Sequence, residues 1–448
     1  MLPLILLLSC TDKSAPPLDP AADGDSAARD SAPSDTVETA SGETGAPESG
    51  LPETGSADTG PAEETAEPLV TDETVEGMGD DPDGWLFSDD EVHRIDLYFP
   101  ESTATALNSS PYEYAPADIV IDDMSISNVG IRLKGKIGSY RNLSQKAAFK
   151  VDFNAYVEDQ SFYGLTKLNL NNMVVDYSML KEHVAYKAFR DNGIAAERTG
   201  YAWVTVNGEA YGLYNILEQP NKGLLERWYD DPSGNLYDGK YIWYGGYSYT
   251  LLDLRSDLAV LYALEEGEDV GNADLSAIAD ALATYDRSAG FYDGMADFVD
   301  WDQVLTYWAV EQWVGHNDGY VLNRNNNFIY ITADEALMNF VPWDMDYSLL
   351  NDTDWGMNWA SPYGMLAAAC RRDTTCLAAW KEAAGRVVDN MDGALYEAYA
   401  VEQALLIQDY VSADPRKEVS TGSVGYYQSY VRTWVTGRNA YMTSFWGL

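Results

Sequence analysis

Residues 311–348 read EQWVGHNDGYVLNRNNNFIYITADEALMNFVPWDMDYS, and their pattern decides how the rest of the chain is arranged. The run carries His316-Asn317-Asp318 and places Asn323 five positions after that Asp. A short apolar run, Phe328 to Thr332, has strand character. A polar turn and a second strand, Met338 to Val341, follow and lead into Trp343-Asp344-Met345-Asp346. Such a hairpin holds two loop ends near each other on a hydrogen-bonded scaffold. The carboxylates and amide it would deliver are hard oxygen ligands, suited to Mg²⁺ or Mn²⁺. Asp and Asn are also common turn residues, so on spacing alone Asn323 to Asn327 reads equally as a surface turn.

Protein kinases order their parts in the same way. There an Asp accepts the hydroxyl proton, an Asn five residues on holds metal, and a hairpin brings a further Asp to the phosphates. The counterparts are Asp318, Asn323 and Asp344.

Composition narrows the alternatives. The chain has 448 residues, core enough for two or three domains. Its formal net charge of −44 argues against a nucleic-acid partner, which needs clustered Lys and Arg. An acidic surface keeps a protein soluble and attracts basic segments. With three His and three Cys there is no structural zinc pattern, and no His-Glu-x-x-His or Gly-x-Ser-x-Gly occurs. Gly234 to Lys240 approaches a phosphate-binding Gly-Lys loop, but Tyr241 and an aromatic run follow it instead of a hydroxyl residue and a helix.

The first ten residues, MLPLILLLSC, resemble a bacterial lipoprotein signal with Cys10 as the lipidated residue, although no Lys or Arg precedes the apolar run. The expectation is export to the cell envelope, either lipid-anchored to a bacterial membrane through Cys10 or secreted. The run is too short to span a bilayer, and no later segment reads as a transmembrane helix. Residues 11–82 are rich in Ser, Thr, Pro, Gly, Ala and acids and poor in large apolar residues, the composition of a disordered acidic linker.

Residues 83–448 form the expected folded part, a strand-rich lobe over about 90–220 and a helical lobe over about 221–448. Alternation predicts strands at His93–Phe99, Ala117–Asp122, Asn128–Leu133, Ala148–Phe153 and Lys167–Asn171. It is followed by a helix at Tyr177–Arg190 capped by Asp176, then a hairpin over Tyr201–Glu218 with an Asn-Gly turn. Helical spacing marks Ser256–Leu264, Leu275–Tyr285, Trp301–Val314, Leu377–Val388, Leu395–Tyr410 and Tyr426–Trp446. Cys370 and Cys376 bracket a polar loop and, in an exported chain, are expected to form a disulfide.

Several ordered motifs over about Arg132 to Leu350 resemble the spore coat protein H (CotH) kinase-like family. They are Gly130-Ile-Arg-Leu-Lys-Gly135, Lys146-Ala-Ala-Phe-Lys-Val151, Phe162 to Asn171, and Leu180-Lys-Glu-His-Val-Ala-Tyr186. Val206 to Tyr214 with Glu218-Gln219, Gly234-Asn-Leu-Tyr237, Asn317-Asp318 and Pro342-Trp-Asp-Met-Asp346 complete the set. The resemblance implies an α+β, atypical, reduced protein-kinase-like fold. It also implies ATP, Mg²⁺ or Mn²⁺, and Ser/Thr phosphorylation of partner proteins, basic segments among them. Asp318 takes the catalytic place, and Asp344 and Asp346 the metal place. Arg324 to Asn326 separate Asn323 from the strand, so the metal Asn is Asn323, Asn326 or Asn327. Lys146 and Lys150 stand where a phosphate-contacting Lys is expected, Glu182 is the helix carboxylate to pair with it, and Glu218 belongs to the nucleotide side. On their own, Lys134, Lys136, Lys146 and Lys150 read as a solvated strand edge. Ala148 and Asp238 depart from the family pattern, which has a small hydroxyl residue and a Lys there. A silent binding or adhesion module on the same scaffold is the alternative, with the aromatic run Tyr241 to Tyr249 as its surface; a two-carboxylate glycoside hydrolase ranks below both.

Overall fold

The computed structural model describes residues 81–244, 248–269, 271–351 and 354–448, all within one unit, Pro68–Leu448. The expected signal and nearly all of the expected linker lie outside the described residues, as does the middle of the aromatic run at 245–247.

Seven strands close into a barrel. They are β1 (Val92–Tyr98), β2 (Ala115–Ile121), β3 (Met124–Lys134), β4 (Ala148–Asp152), β5 (Lys167–Asn171), β6 (Thr199–Val206) and β7 (Glu209–Glu218). Their order around the wall is β1-β2-β3-β4-β5-β7-β6. All neighbours are antiparallel except the closing pair, in which Val92–Leu97 of β1 runs parallel to Tyr201–Val206 of β6. Alternation sends one set of side chains inward: Ile95, Leu97, Ile119, Ile131, Leu133, Phe149, Val151 and Ile216 are all fully buried. The opposite set, including Arg132, Lys134, Lys150 and Asn169, faces outward. Asn207 and Gly208, both at positive φ, make the two-residue turn joining β6 to β7.

Helix α1 (Glu101–Ser109) links β1 to β2, an element the sequence pattern does not mark. Helix α2 is shorter than expected, Lys181–Asp191. The N-cap is Leu180, without a side-chain capping bond, and not Asp176 as expected. Met179 sits at φ 60°, so a turn separates Asp176 from the helix, and its carboxylate accepts from Ser178 N at 2.9 Å and Lys181 N at 2.7 Å instead. A second sheet follows, formed by β8 (Asn235–Asp238), β9 (Ala263–Glu266), β10 (Asn327–Ile331) and β11 (Met338–Pro342) in the order β9-β8-β10-β11. Strand β9 corrects the expectation of a helix to Leu264. Only Ser256–Ala259 is helical, because the edge of β8 pairs with the residues beyond it. Helices α3 (Ala273–Tyr285), α4 (Trp301–Trp313), α5 (Met365–Arg372), α6 (Thr374–Asn390), α7 (Gly393–Ala413) and α8 (Thr421–Trp446) build the C-terminal region.

Ten of the thirteen residues of α4 are buried, making it the axis of that region. Val184, Tyr186 and Phe189 of α2 belong to the same apolar core as Tyr201, Leu213 and Leu217 on the outer barrel wall, so one core joins the two parts. A polar lock reinforces it. Lys146 Nζ donates to Asp414 Oδ2 at 2.7 Å, and Asp414, just past α7, also accepts from Leu213 N at 3.1 Å. A Cβ on Gly212 would lie 2.2 Å from Asp414 Oδ1, so only glycine lets the carboxylate reach the wall.

The sulfurs of Cys370 and Cys376 are within bonding distance, with Cα atoms 5.1 Å apart, joining the end of α5 to the start of α6. Reduction is expected to lower stability by about 2 kcal/mol, the chain-entropy figure for so short a loop. Intact mass with and without reductant, followed by urea melts of both forms, checks it; two free thiols in protein purified without reductant would refute the bond.

Candidate active site at the Asp318 loop and the Asp344 hairpin

The loop after α4 turns sharply and presents Asp318 to a ring of amides. Asp318 Oδ1 accepts from Asn323 Nδ2 at 2.5 Å and from Asn325 Nδ2 at 3.3 Å; Oδ2 accepts from Asn326 Nδ2 at 3.0 Å. Arg324 and Asn326 lie at φ 58° and 48°, and this left-handed backbone folds the three amides back onto one carboxylate. The Asn326 carbonyl then accepts from Trp343 N at 3.2 Å, tying the loop to the end of β11 one residue before Asp344. Asp344, itself at φ 54°, begins the turn that carries Asp346.

The acids share one electrostatic neighbourhood. Burial raises the Asp318 carboxyl to about 6, and the Asp344 charge adds to that rise. Burial also raises Asp344, against which Lys134 pulls down. Asp346 is raised by burial and by the charges of Asp344 and Glu182. Its Oδ1 is buried with no hydrogen-bond partner, while its carbonyl accepts from Lys181 Nζ at 3.3 Å.

Glu182 comes in from α2. Its Oε1 accepts from Asn171 Nδ2 at 2.7 Å and its Oε2 from Asn215 Nδ2 at 2.8 Å. Lys134, at the end of β3, donates to Asn171 Oδ1. Lysine and glutamate are therefore joined through one asparagine. Burial is the main force on Glu182, pushing it to about 7, with the Lys134 charge opposing. In the metal-free protein this has a definite sign. A carboxyl that titrates near 4.5 when unfolded and near 7 when folded favours the folded state at low pH, and that contribution is lost as pH rises between the two. Urea melts at pH 5 and pH 7.5 are expected to show this fall, and Glu182→Gln to flatten it.

The expected residues divide clearly. Asp318, Asn323, Asn326, Asp344, Asp346 and Glu182 come together. Asn327 turns away: its amide donates to the Asn325 carbonyl at 2.9 Å. Lys146 is committed to Asp414. Glu218 is held by Arg198, at 2.9 Å, and by Arg227, a structural cluster at the other end of β5. Lys150 lies beside Arg132 on the outer wall; burial first, then the charges of Arg132 and Lys167, push it down to about 7. Neither Lys134 nor Lys150 has a carboxylate within ion-pair distance among the described residues, in a chain of 72 acids and 28 bases. On sequence alone Lys134 reads as part of a solvated strand edge. The signal was available in Ile131-Arg-Leu-Lys134, whose alternation sends Arg132 and Lys134 outward together, but nothing local says what lies opposite.

Among the described residues no three His, Cys, Asp or Glu side chains form a ready-made metal cluster. No helix among them is long and apolar enough to cross a membrane.

These features define a mixed helix and strand protein, sheet-rich towards its N-terminus and helical towards its C-terminus, with an amide-clamped Asp318 tied through Asn326 and Trp343 to the turn that carries Asp344. Residues 131–442 match the family described as CotH kinase protein, and the chain belongs to that family. It is also similar to the inner spore coat protein H of Bacillus subtilis (strain 168), at 24% identity over 217 residues. That match covers 47% of this chain and 56% of the relative, so the chain spans little more than half of that protein's length.

Proposed function

We propose that this chain is a protein Ser/Thr kinase of CotH type, dependent on ATP and Mg²⁺ or Mn²⁺, with a reduced kinase-like arrangement of parts, acting outside the cytoplasm. The observation that supports the reading is the Asp318–Asn326–Trp343–Asp344 connection, a hydrogen-bonded link between the Asp318 carboxylate and the turn that carries Asp344. Strand Lys134, helix Glu182, loop Asp318 and hairpin Asp344 follow the kinase order of parts. Export rests on the apolar run ending at Cys10, with lipidation there as the proposed anchor.

The residues present fit a divalent cation. The orphaned Oδ1 of Asp346 is the type of buried oxygen such an ion satisfies. Mg²⁺ commonly takes only one or two carboxylates and completes its shell from phosphates and water, so a larger acid cluster is not required. Asp344 and Asp346 would hold the ion, with Asn323 the amide that the kinase spacing puts forward. Bound metal and nucleotide supply charge neutralisation and the transferable phosphoryl group. The protein does the rest. Lys134 and Lys150 offer cationic contacts to phosphate oxygens. Asn323, Asn325 and Asn326 fix the Asp318 carboxylate, which orients the acceptor hydroxyl and takes its proton. A basic protein segment is the proposed acceptor, drawn by the acidic surface.

Lys134→Met is expected to raise KM for ATP about 10- to 100-fold, the equivalent of the ~1.5–3 kcal/mol of a charge-assisted hydrogen bond. Lys146→Met is expected to leave KM in place and lower stability instead. Steady-state kinetics beside thermal melts separate the two. A thermal shift with ATP and Mn²⁺ tests the reading itself; wild-type protein that binds no nucleotide in the presence of metal would end it.

A silent binding module is favoured by one observation: Tyr426, Trp355 and Tyr363 are 69%, 51% and 50% exposed, an unusual show of rings. A glycan panel run beside the nucleotide assay distinguishes it.

A further inference from the structure

Glu311 lies in the last turn of α4 and is fully buried, yet it makes no ion pair among the described residues. It grips the Asp318 loop on both sides. Its carbonyl accepts from His316 N at 3.0 Å, two residues before Asp318. Its carboxyl Oε2 accepts from Val321 N at 3.3 Å, three residues after it. The other oxygen, Oε1, has no partner and lies against Gly319, where an added Cβ would stand 1.7 Å away. Inside this grip the loop closes on itself, with Gly319 N donating to His316 O at 3.1 Å and Asn323 N donating to Gly319 O at 2.9 Å.

We propose that Glu311 is the positioning residue of the site: from beneath, it sets where the loop presents the Asp318 carboxylate to the three amides above. This rests on the kinase reading for its catalytic consequence, and on the contacts alone for its structural part. The position needs a side chain of this length with an acceptor at its tip. A shorter acid cannot reach from α4 to the Val321 amide, and an apolar residue leaves that buried N–H unpaired. The partner position needs glycine, since any side chain at residue 319 collides with Oε1. Burial raises the carboxyl above the usual carboxylate range. Gln keeps the length of the side chain and an acceptor oxygen for the Val321 amide, so it is the conservative replacement.

The test compares Glu311→Gln with Glu311→Leu in the full chain, with ATP, Mn²⁺ and two acceptor probes, dephosphorylated casein and a synthetic Ser/Arg peptide. For Glu311→Leu, kcat is expected to fall about 100-fold, the scale of a small misplacement of a catalytic group, with KM for ATP within twofold. For Glu311→Gln, kcat is expected to stay within a few-fold of wild type. Hydrogen exchange over residues 315–325 is expected to quicken at least tenfold in the Leu variant and to be unchanged in the Gln variant. Equal kcat in Leu and wild type, or an equal loss in Gln and Leu, overturns the proposal. If wild-type protein transfers no phosphate, the kinase reading fails separately and exchange alone decides: faster in Leu but not Gln supports the grip, unchanged in both refutes it. Should the Leu variant not fold, Gly319→Ala replaces it. Loss of kcat with the ATP-induced thermal shift retained supports the proposal, and retained kcat overturns it.

Discussion

Asp318→Ala is expected to reduce phosphoryl transfer by about 10²- to 10⁴-fold, the range a positioned general base contributes. Nucleotide binding should persist, because Lys134, Asp344 and Asp346 remain. The contrast with Asp344→Ala gives the test its force. That change removes a proposed metal ligand, so both turnover and the metal-dependent thermal shift should go. The two carboxylates stand in one electrostatic neighbourhood and are linked through Asn326 and Trp343, but only one belongs to the hairpin. A shift that disappears in both variants, or in neither, would mean that the roles are not divided in this way. Asp318→Asn is the sharper companion. It keeps the size of the side chain but sets an amide against three amide donors, so some local rearrangement is expected beyond the loss of the base.

Asp414→Ala is expected to destabilise the protein by about 3–5 kcal/mol, the usual cost of leaving a buried charge without its partner. Lys146 Nζ would be stranded under the barrel wall, and the Leu213 amide would lose its acceptor. Burial already disfavours the charged lysine and the Asp414 charge opposes that, so the remaining ammonium would tend to release its proton. The double variant Lys146→Met/Asp414→Leu should recover part of the loss, since an apolar pair often replaces a buried ion pair at little cost. Urea denaturation of the three variants measures it. If Asp414→Ala melts like wild type, the lock between barrel and helices has no energetic weight.

Much of this architecture is legible in the chain itself. The strands of the barrel wall announce themselves by alternation, as Ala117 to Asp122 and Lys167 to Asn171 do, and Asn207-Gly208 marks its hairpin. The order of Asp318 and Asp344 is equally plain, because both sit on elements only a few residues long. Pairings between distant segments are not legible. Nothing near Val92 says that it will meet Tyr201, and nothing near Lys146 says that Asp414, 268 positions away, will take it out of the running for a phosphate contact. For the same reason Asn171 and Asn215, which hold Glu182 from two strands of the wall, look like ordinary strand polar residues until the barrel closes. The helix expected to run to Leu264 shows the converse error, since its apolar spacing suits a short helix and an edge strand alike.

The parallel seam between Val92–Leu97 and Tyr201–Val206 sets the sequence of events during synthesis. Until the ribosome has passed residue 206, the first strand has no partner on that side and the cylinder stays a curled ribbon with a raw margin. Long-range closure of this sort is slow compared with local hairpins. The barrel thus stays open for as long as its late strands are missing, and a fragment ending before Thr199 would be sticky along Val92–Tyr98 and a ready substrate for holdase chaperones.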